Sequence, residues 1–183
     1  LKTMSLTLAP SITELNNWSI ITVTGPDATD FLQNQLTNSV KSIKPIDLGE
    51  LALAHTQNRF AGYCSAKGRL MGSFWITRKN TQNESGEVIP EYQLRISSDL
   101  AQTLSKRLSM FVLRSKVKVT DQSGHYKVYG LVDINNSMVT LVQKIGATGI
   151  GVAELPIVQV DGMNCQRYLL TCTTEQETLL QDI

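Results

Sequence analysis

Long hydrophobic runs are missing from this chain of 183 residues, and with them any stretch able to cross a bilayer as a helix. No basic-then-apolar leader stands at the N-terminus, so no secretory signal is read there. Cysteine is scarce. Cys64, Cys165 and Cys172 are odd in number and widely spaced, which speaks against a disulfide framework and for a reducing cytoplasm. There are two histidines, His55 and His125, and neither has a carboxylate or cysteine at metal-ligand spacing. Cys165 and Cys172, seven residues apart, match no zinc or cluster pattern, so no metal site is expected. A phosphate loop, a dinucleotide fingerprint and a nucleophile elbow are all absent.

What remains is ordinary for a globular chain, with 42% apolar and 18% charged residues. The net charge of +1 conceals an uneven split. Residues 51 to 120 hold 11 Lys and Arg against 4 Asp and Glu, with no acid between Leu51 and Asn83 or between Leu100 and Thr120. Two readings are open. The middle of the chain presents a positive surface to an anionic partner, or the basic and acidic regions attract each other within one fold.

Residues 1 to 17 are polar with few order signals. An alternating run from Trp18 to Thr24 reads as a strand, Gly25 as a tight turn, and about Asp27 to Asn38 as a helix with Phe31, Leu32 and Leu36 on one face. Leu51 to Thr56, Gly62 to Ala66, Leu70 to Thr77 and Glu91 to Ser97 read as strands, with Asn80 to Pro90 a loop. Leu100, Leu104, Leu108 and Phe111/Val112 recur at helical spacing behind Ser98-Asp99 as a cap. Val117 to Thr120, Lys127 to Val132, Met138 to Val142, Val158 to Val160 and Tyr168 to Thr171 read as strands, and Gly146 to Gly151 as a loop. Thr174-Glu175-Gln176-Glu177 spells a capping box for a last helix. The expected class is α+β, with mostly antiparallel sheets, packed helices and two lobes.

Three blocks carry a family signature. The first is Gly25-Pro26-Asp27-Ala28-Thr29-Asp30-Phe31-Leu32-Gln33-Asn34-Gln35-Leu36-Thr37-Asn38, the second Tyr63-Cys64-Ser65-Ala66-Lys67-Gly68-Arg69, and the third Leu108 to Val119 around Leu113-Arg114-Ser115-Lys116-Val117. In these blocks and their order the chain resembles the YgfZ-type folate-binding family, a relative of the glycine cleavage T-protein, an aminomethyltransferase. The resemblance covers most of residues 18 to 120 and is only general beyond about residue 130. It implies a first lobe from residues 1–50 and 121–183, and an inserted basic lobe from 51–120. It also implies binding of tetrahydrofolate or a derivative, and a role supporting iron–sulfur proteins such as tRNA-modifying enzymes.

The T-protein needs a carboxylate just after its second motif. Matching Lys67-Gly68-Arg69-Leu70-Met71 onto that motif puts Gly72 and Ser73 where the acid belongs. Glycine can neither take a proton nor stabilise a cationic carbon. No catalytic residue is therefore assigned, and the folate-binding branch is favoured over the transferase unless another carboxylate, such as Glu84, reaches the pterin. The Lys-Gly-Cys-Tyr motif of YgfZ-type proteins has no match; Cys165 stands near Tyr168 without the flanking residues. The chain opens on Leu1 and stops early for that family, as an N-terminal portion would.

Trp18 occupies the place of a family tryptophan implicated in folate binding, and an indole can stack on a flat pterin. The plainer reading is a half-buried strand-start tryptophan. Lys67, Gly68 and Arg69 form a basic turn, either an ordinary surface turn or a contact for folate carboxylates or RNA phosphates. Lys106, Arg107, Arg114, Lys116 and Lys118, with Arg59, Arg78 and Lys79, suit an RNA-facing surface, the last three of the first five alternating along a strand. Tyr63, Phe74 and Trp75 read as strand core rather than as base-stacking residues. The remaining alternative is a basic RNA- or protein-binding module without folate, whose salt-sensitive tRNA binding would survive Trp18→Ala.

Overall fold

The computed structural model describes residues 11–47, 49–54, 56–134 and 136–182. His55 lies outside them. The class is α+β: two mostly antiparallel five-stranded sheets stacked face to face, each backed by two helices. One sheet contains β1 (Ser11–Glu14), β8 (Tyr126–Ile134), β10 (Met163–Thr173), β9 (Gly151–Val160) and β3 (Leu51–Ala52), in that order. The other contains β4 (Asn58–Cys64), β5 (Leu70–Gln82), β6 (Val88–Ser97), β2 (Trp18–Thr24) and β7 (Lys118–Asp121). The helices are α1 (Ala28–Gln35), α2 (Ser98–Met110), α3 (Val139–Ala147) and α4 (Thr174–Gln181). The basic stretch 51–120 supplies β4, β5, β6 and α2, but its sheet also takes β2, and β3 joins the other sheet.

Three apolar clusters fill the three gaps. Phe31 and Leu32 of α1 and Leu104 and Leu108 of α2 pack on Ile21, Phe74, Tyr92 and Leu94 of the second sheet. Val142 and Ile145 of α3 and Leu180 of α4 cover Leu131, Leu170 and Cys172 of the first. Ile20, Val128, Ala153 and Leu169 meet between the sheets. Both faces of each sheet are thus covered over much of their area. A central strand such as β2 is therefore buried along nearly its whole length.

The first motif makes a clasp. Gly25 has φ +141, and a Cβ on it would stand 2.1 Å from the carbonyl oxygen of Lys116. Asp27, expected to start the helix, makes no side-chain cap; its carboxylate accepts the backbone N–H of Lys116 at 2.7 Å. The first and third motifs are therefore two halves of one contact.

Several expectations change. Ser11–Glu14, within the tract read as unordered, is a strand paired to β8. Met138 to Val142 is the start of helix α3, because Val142 and Ile145 share its buried face. Arg114 and Lys116 do not alternate along a strand with Lys118; they lie in the turn before β7. The capping box of α4 sits one residue earlier than read. Thr173 Oγ1 accepts the N–H of Gln176, and the Gln176 side chain accepts the N–H of Thr173.

Helix α4 is tied to its sheet by Glu177, which accepts from Lys127 Nζ at 2.7 Å and from the Tyr129 hydroxyl at 2.6 Å. The Lys127 and Tyr129 bonds hold the Glu177 carboxyl below its ordinary pKa. A lowered carboxylate pKa adds stability above the unfolded pKa, and that stability is lost as the pH falls through the folded one. Glu177→Gln should therefore lower Tm near neutral pH, and parent and variant should converge as the pH is lowered through the carboxylate range. Thermal unfolding followed across pH measures this; a constant difference would remove Glu177 as the titrating group.

Candidate functional site

Antiparallel register places side chains in rows across the second sheet, because residues directly opposite share a face. Trp18 is opposite Ser97, and Phe60, Trp75 and Arg95 fall in one register line. Ser73, two residues before Trp75, therefore shares its face with Ser97 and Trp18. This face points toward the other sheet, but the other sheet does not cover its end. There a cleft of about 400 Å³ opens, walled by Trp18, Phe60, Trp75, Leu70, Ser73 and Ser97.

Its chemistry is aromatic and hydroxylic. Trp18 is half-buried, its ring packed against the inter-sheet cluster while one side fronts the cleft. Phe60 is 50% exposed, and its ring stands 4.9 Å from that of Trp75 at 48°. Asn17, Ser73 and Ser97 bring polar groups to the walls. Ser97 Oγ donates to Asp99 at 2.6 Å, while among the described residues no Asp or Glu lines the cleft itself. Flat faces with hydrogen-bonding groups at the edge suit a planar heteroaromatic ring such as a pterin.

Gly72 and Ser73 divide in a way the sequence does not reveal. Gly72 faces α2: a Cβ there would come 2.5 Å from Leu104 Cδ1, with Leu100 and Ile96 behind it. Ser73 faces the cleft. Gly72 borders the cleft through its backbone, but a side chain at 73 rather than at 72 points toward it. Glu84 is in the turn between β5 and β6, at the other end of the hairpin from Ser73 and on the order of 30 Å along the strand.

Lys67, Gly68 and Arg69 form the exposed tip of the β4–β5 hairpin, closed by Gly68 N donating to Ser65 O at 2.9 Å. Leu70, beside them, lines the cleft, but the three basic-turn residues do not. Lys106 and Arg107 lie on α2, with Arg114, Lys116 and Lys118 following along the turn into β7. Lys106, Arg114, Lys116 and Lys118 are exposed, whereas Arg107 is half-buried. Arg78 lies over the Tyr92 ring at 5.9 Å, and Lys79 pairs with Glu91 at 3.1 Å, so both are engaged within the fold. Tyr63 and Phe74 are core as expected, but Trp75 is a cleft wall. Phe60 and Trp75 are the residues sequence reasoning missed; their apposition across β4 and β5 was the available signal. Cys64 is half-buried, and His125 is exposed in the β7–β8 turn. Among the described residues no group of three or more His, Cys, Asp or Glu is placed to hold a metal, and no helix is long and apolar enough to cross a membrane.

Two helix-backed sheets in this arrangement recur in part of a glycine cleavage aminomethyltransferase. The crystal structure of the T enzyme from Bartonella henselae matches over 88% of this chain and 42% of its own, with a TM-score of 0.58 at 16% identity. In sequence the chain is similar to YgfZ and IBA57 proteins. It is 32% identical over 119 residues to the iron–sulfur cluster assembly factor IBA57 homolog of Mycosarcoma maydis, spanning 64% of this chain and 28% of that protein. It is 24% identical over 196 residues to the tRNA-modifying protein YgfZ of Pectobacterium carotovorum, spanning 96% of this chain and 48% of the relative. YgfZ of Aliivibrio fischeri is 36% identical over 70 residues, or 38% of this chain and 19% of that one. The chain thus spans less than half the length of these relatives. No family model matches it.

Proposed function

We propose that this chain binds tetrahydrofolate or a derivative in the Trp18 cleft, and that through this binding it supports iron–sulfur cluster proteins, including enzymes that modify tRNA. The carrying observation is the cleft itself: Trp18, Phe60 and Trp75 around one opening of about 400 Å³, edged by Ser73 and Ser97. The pterin stacks on the Trp18 indole, and the hydroxyls meet its polar edge. Lys67 and Arg69, at the hairpin tip beside Leu70, meet the glutamyl carboxylates, with Gly68 admitting the close approach. Kinship with proteins named for iron–sulfur assembly and tRNA modification supports the cellular half of the reading. Its compartment is the cytoplasm, or the mitochondrion where the relatives carry that name.

The transferase alternative is weaker, because the described residues of the cleft walls hold no carboxylate to steady a developing cation. The RNA-facing alternative rests on Lys106, Arg114, Lys116 and Lys118, exposed and without an ion-pair partner among the described residues.

Calorimetric titration with tetrahydrofolate tests the proposal. Trp18→Ala should weaken binding by about tenfold or more, since stacking on an aromatic is worth about 1–3 kcal/mol per base. Equal affinity in parent and variant would exclude Trp18 as the platform. Absence of binding to the folded parent would remove folate from the function of this chain.

A further inference from the structure

Arg95 is an arginine buried between two sheets with no carboxylate bonded to it among the described residues. It projects inward from β6 and is 1% exposed. Its Nε donates to Thr171 Oγ1 at 2.9 Å across the gap, Nη1 to Thr77 Oγ1 at 2.9 Å, and Nη2 to Gln93 Oε1 at 3.3 Å. All three acceptors are neutral. Burial lowers its pKa to about 10, so the guanidinium stays charged at neutral pH. Buried charges are ordinarily paired, because desolvation is costly without a counter-charge. Of five N–H donors, the three acceptors leave one on each Nη nitrogen without a partner among the described residues.

The same guanidinium forms part of the wall of a cavity of about 450 Å³ between the sheets, which also includes Gln93, Asn80, Thr171, Thr173 and Gln176. Gly151 stands opposite; a Cβ there would come within 3.9 Å of Nη2. The acids at this cavity do not supply the missing charge. Glu50 Oε2 accepts the Asp47 N–H at 3.3 Å, and among the described residues neither carboxylate bonds to Arg95. Lys79, also in the wall, is paired with Glu91.

We infer that this cavity binds a small oxyanion, a carboxylate or a phosphate group, held by the two open Nη donors of Arg95 and by the amides and hydroxyls around it. Planar two-point donation is what a guanidinium offers such groups. The site is separate from the Trp18 cleft and goes beyond the folate reading.

The test is a titration of the whole chain with sodium phosphate and, separately, sodium acetate, following the Arg95 Nε–H signal by nitrogen-15 NMR. Sodium chloride at matched ionic strength is the control. A saturable shift with one anion and none with chloride is expected, and the anion that produces it tells phosphate from carboxylate. Arg95→Lys keeps the charge but loses the planar fork, and should weaken binding about tenfold or more. Gly151→Ala meets its neighbours at ordinary contact distance, so it folds, and its methyl beside Nη2 should weaken binding severalfold. Trp18→Ala should leave the shift unchanged, which separates this site from folate binding. No saturable shift with either anion in the parent, or binding unchanged in both Arg95→Lys and Gly151→Ala, would overturn the inference and leave Arg95 a strut between the sheets.

Discussion

Gly25→Ala is expected to lower the stability of the chain by about 4 kcal/mol, toward the extreme for a single substitution. The added methyl would stand 2.1 Å from the carbonyl oxygen of Lys116 and 3.0 Å from the Val117 Cα, both main-chain atoms with little room to move. At φ +141 the backbone is also in a region that an L-residue adopts only under strain. Gly25 N–H donates to Pro90 O at 3.2 Å and Gly25 O accepts from Ala28 N at 3.0 Å, so the corner is held on both sides. Relief by shifting the chain would pull Asp27 from the Lys116 N–H and open the junction between β2, α1 and β7. Urea unfolding measures the effect; a change below about 1 kcal/mol would mean that the corner yields and that the clasp does not anchor the first motif.

The second large effect separates neighbours. Gly72→Asp should cost about 3–5 kcal/mol, because it drives a carboxylate against Leu104, Leu100 and Ile96 beneath α2. Ser73→Asp should cost less than about 1 kcal/mol, because position 73 fronts the half-open cleft. The comparison bears on chemistry as well as stability. If a carboxylate is to serve a ligand beside Trp18, it enters at 73, and Ser73→Asp is the variant in which to look for gained transferase activity. Equal destabilisation by the two substitutions would contradict the assignment of faces to β5.

The contrast shows what could be read from the chain alone. The strand–turn–helix at Trp18 to Gln35 was legible because Gly25 admits the sharp turn and Pro26 fixes φ at the approach to a helix, and α2 because its leucines recur on one stripe. The resemblance in the three blocks pointed to the right fold, and the clasp between Asp27 and Lys116 explains why the first and third blocks travel together. What failed is traceable to the four-layer stack. With both faces of a sheet covered, Phe74 and Trp75 look alike in sequence, yet one enters the helix-side core and the other walls the cleft. Gly72 and Ser73 were indistinguishable for the same reason. Helix α3 was read as a strand from β-branched residues over too short a window, when Val142 and Ile145 at helical spacing were the signal. The β9–β10 hairpin is longer than its short apolar runs suggest, and its signal is Asp161-Gly162, both at the positive φ of a tight hairpin turn. Arg95 is the case sequence could not reach: one cation among the basic residues, unlike the rest only because Thr77, Thr171 and Gln93 meet around it.

The two tryptophans of the chain both wall the cleft, so quenching in the parent cannot tell them apart. The most direct test of the account is therefore a tetrahydrofolate titration of Trp75→Phe, in which Trp18 is the sole indole reporter. Saturable quenching of Trp18 fluorescence, with the affinity found by calorimetry, is the predicted result. Calorimetric binding that leaves the Trp18 emission unchanged would put the ligand elsewhere and contradict the account.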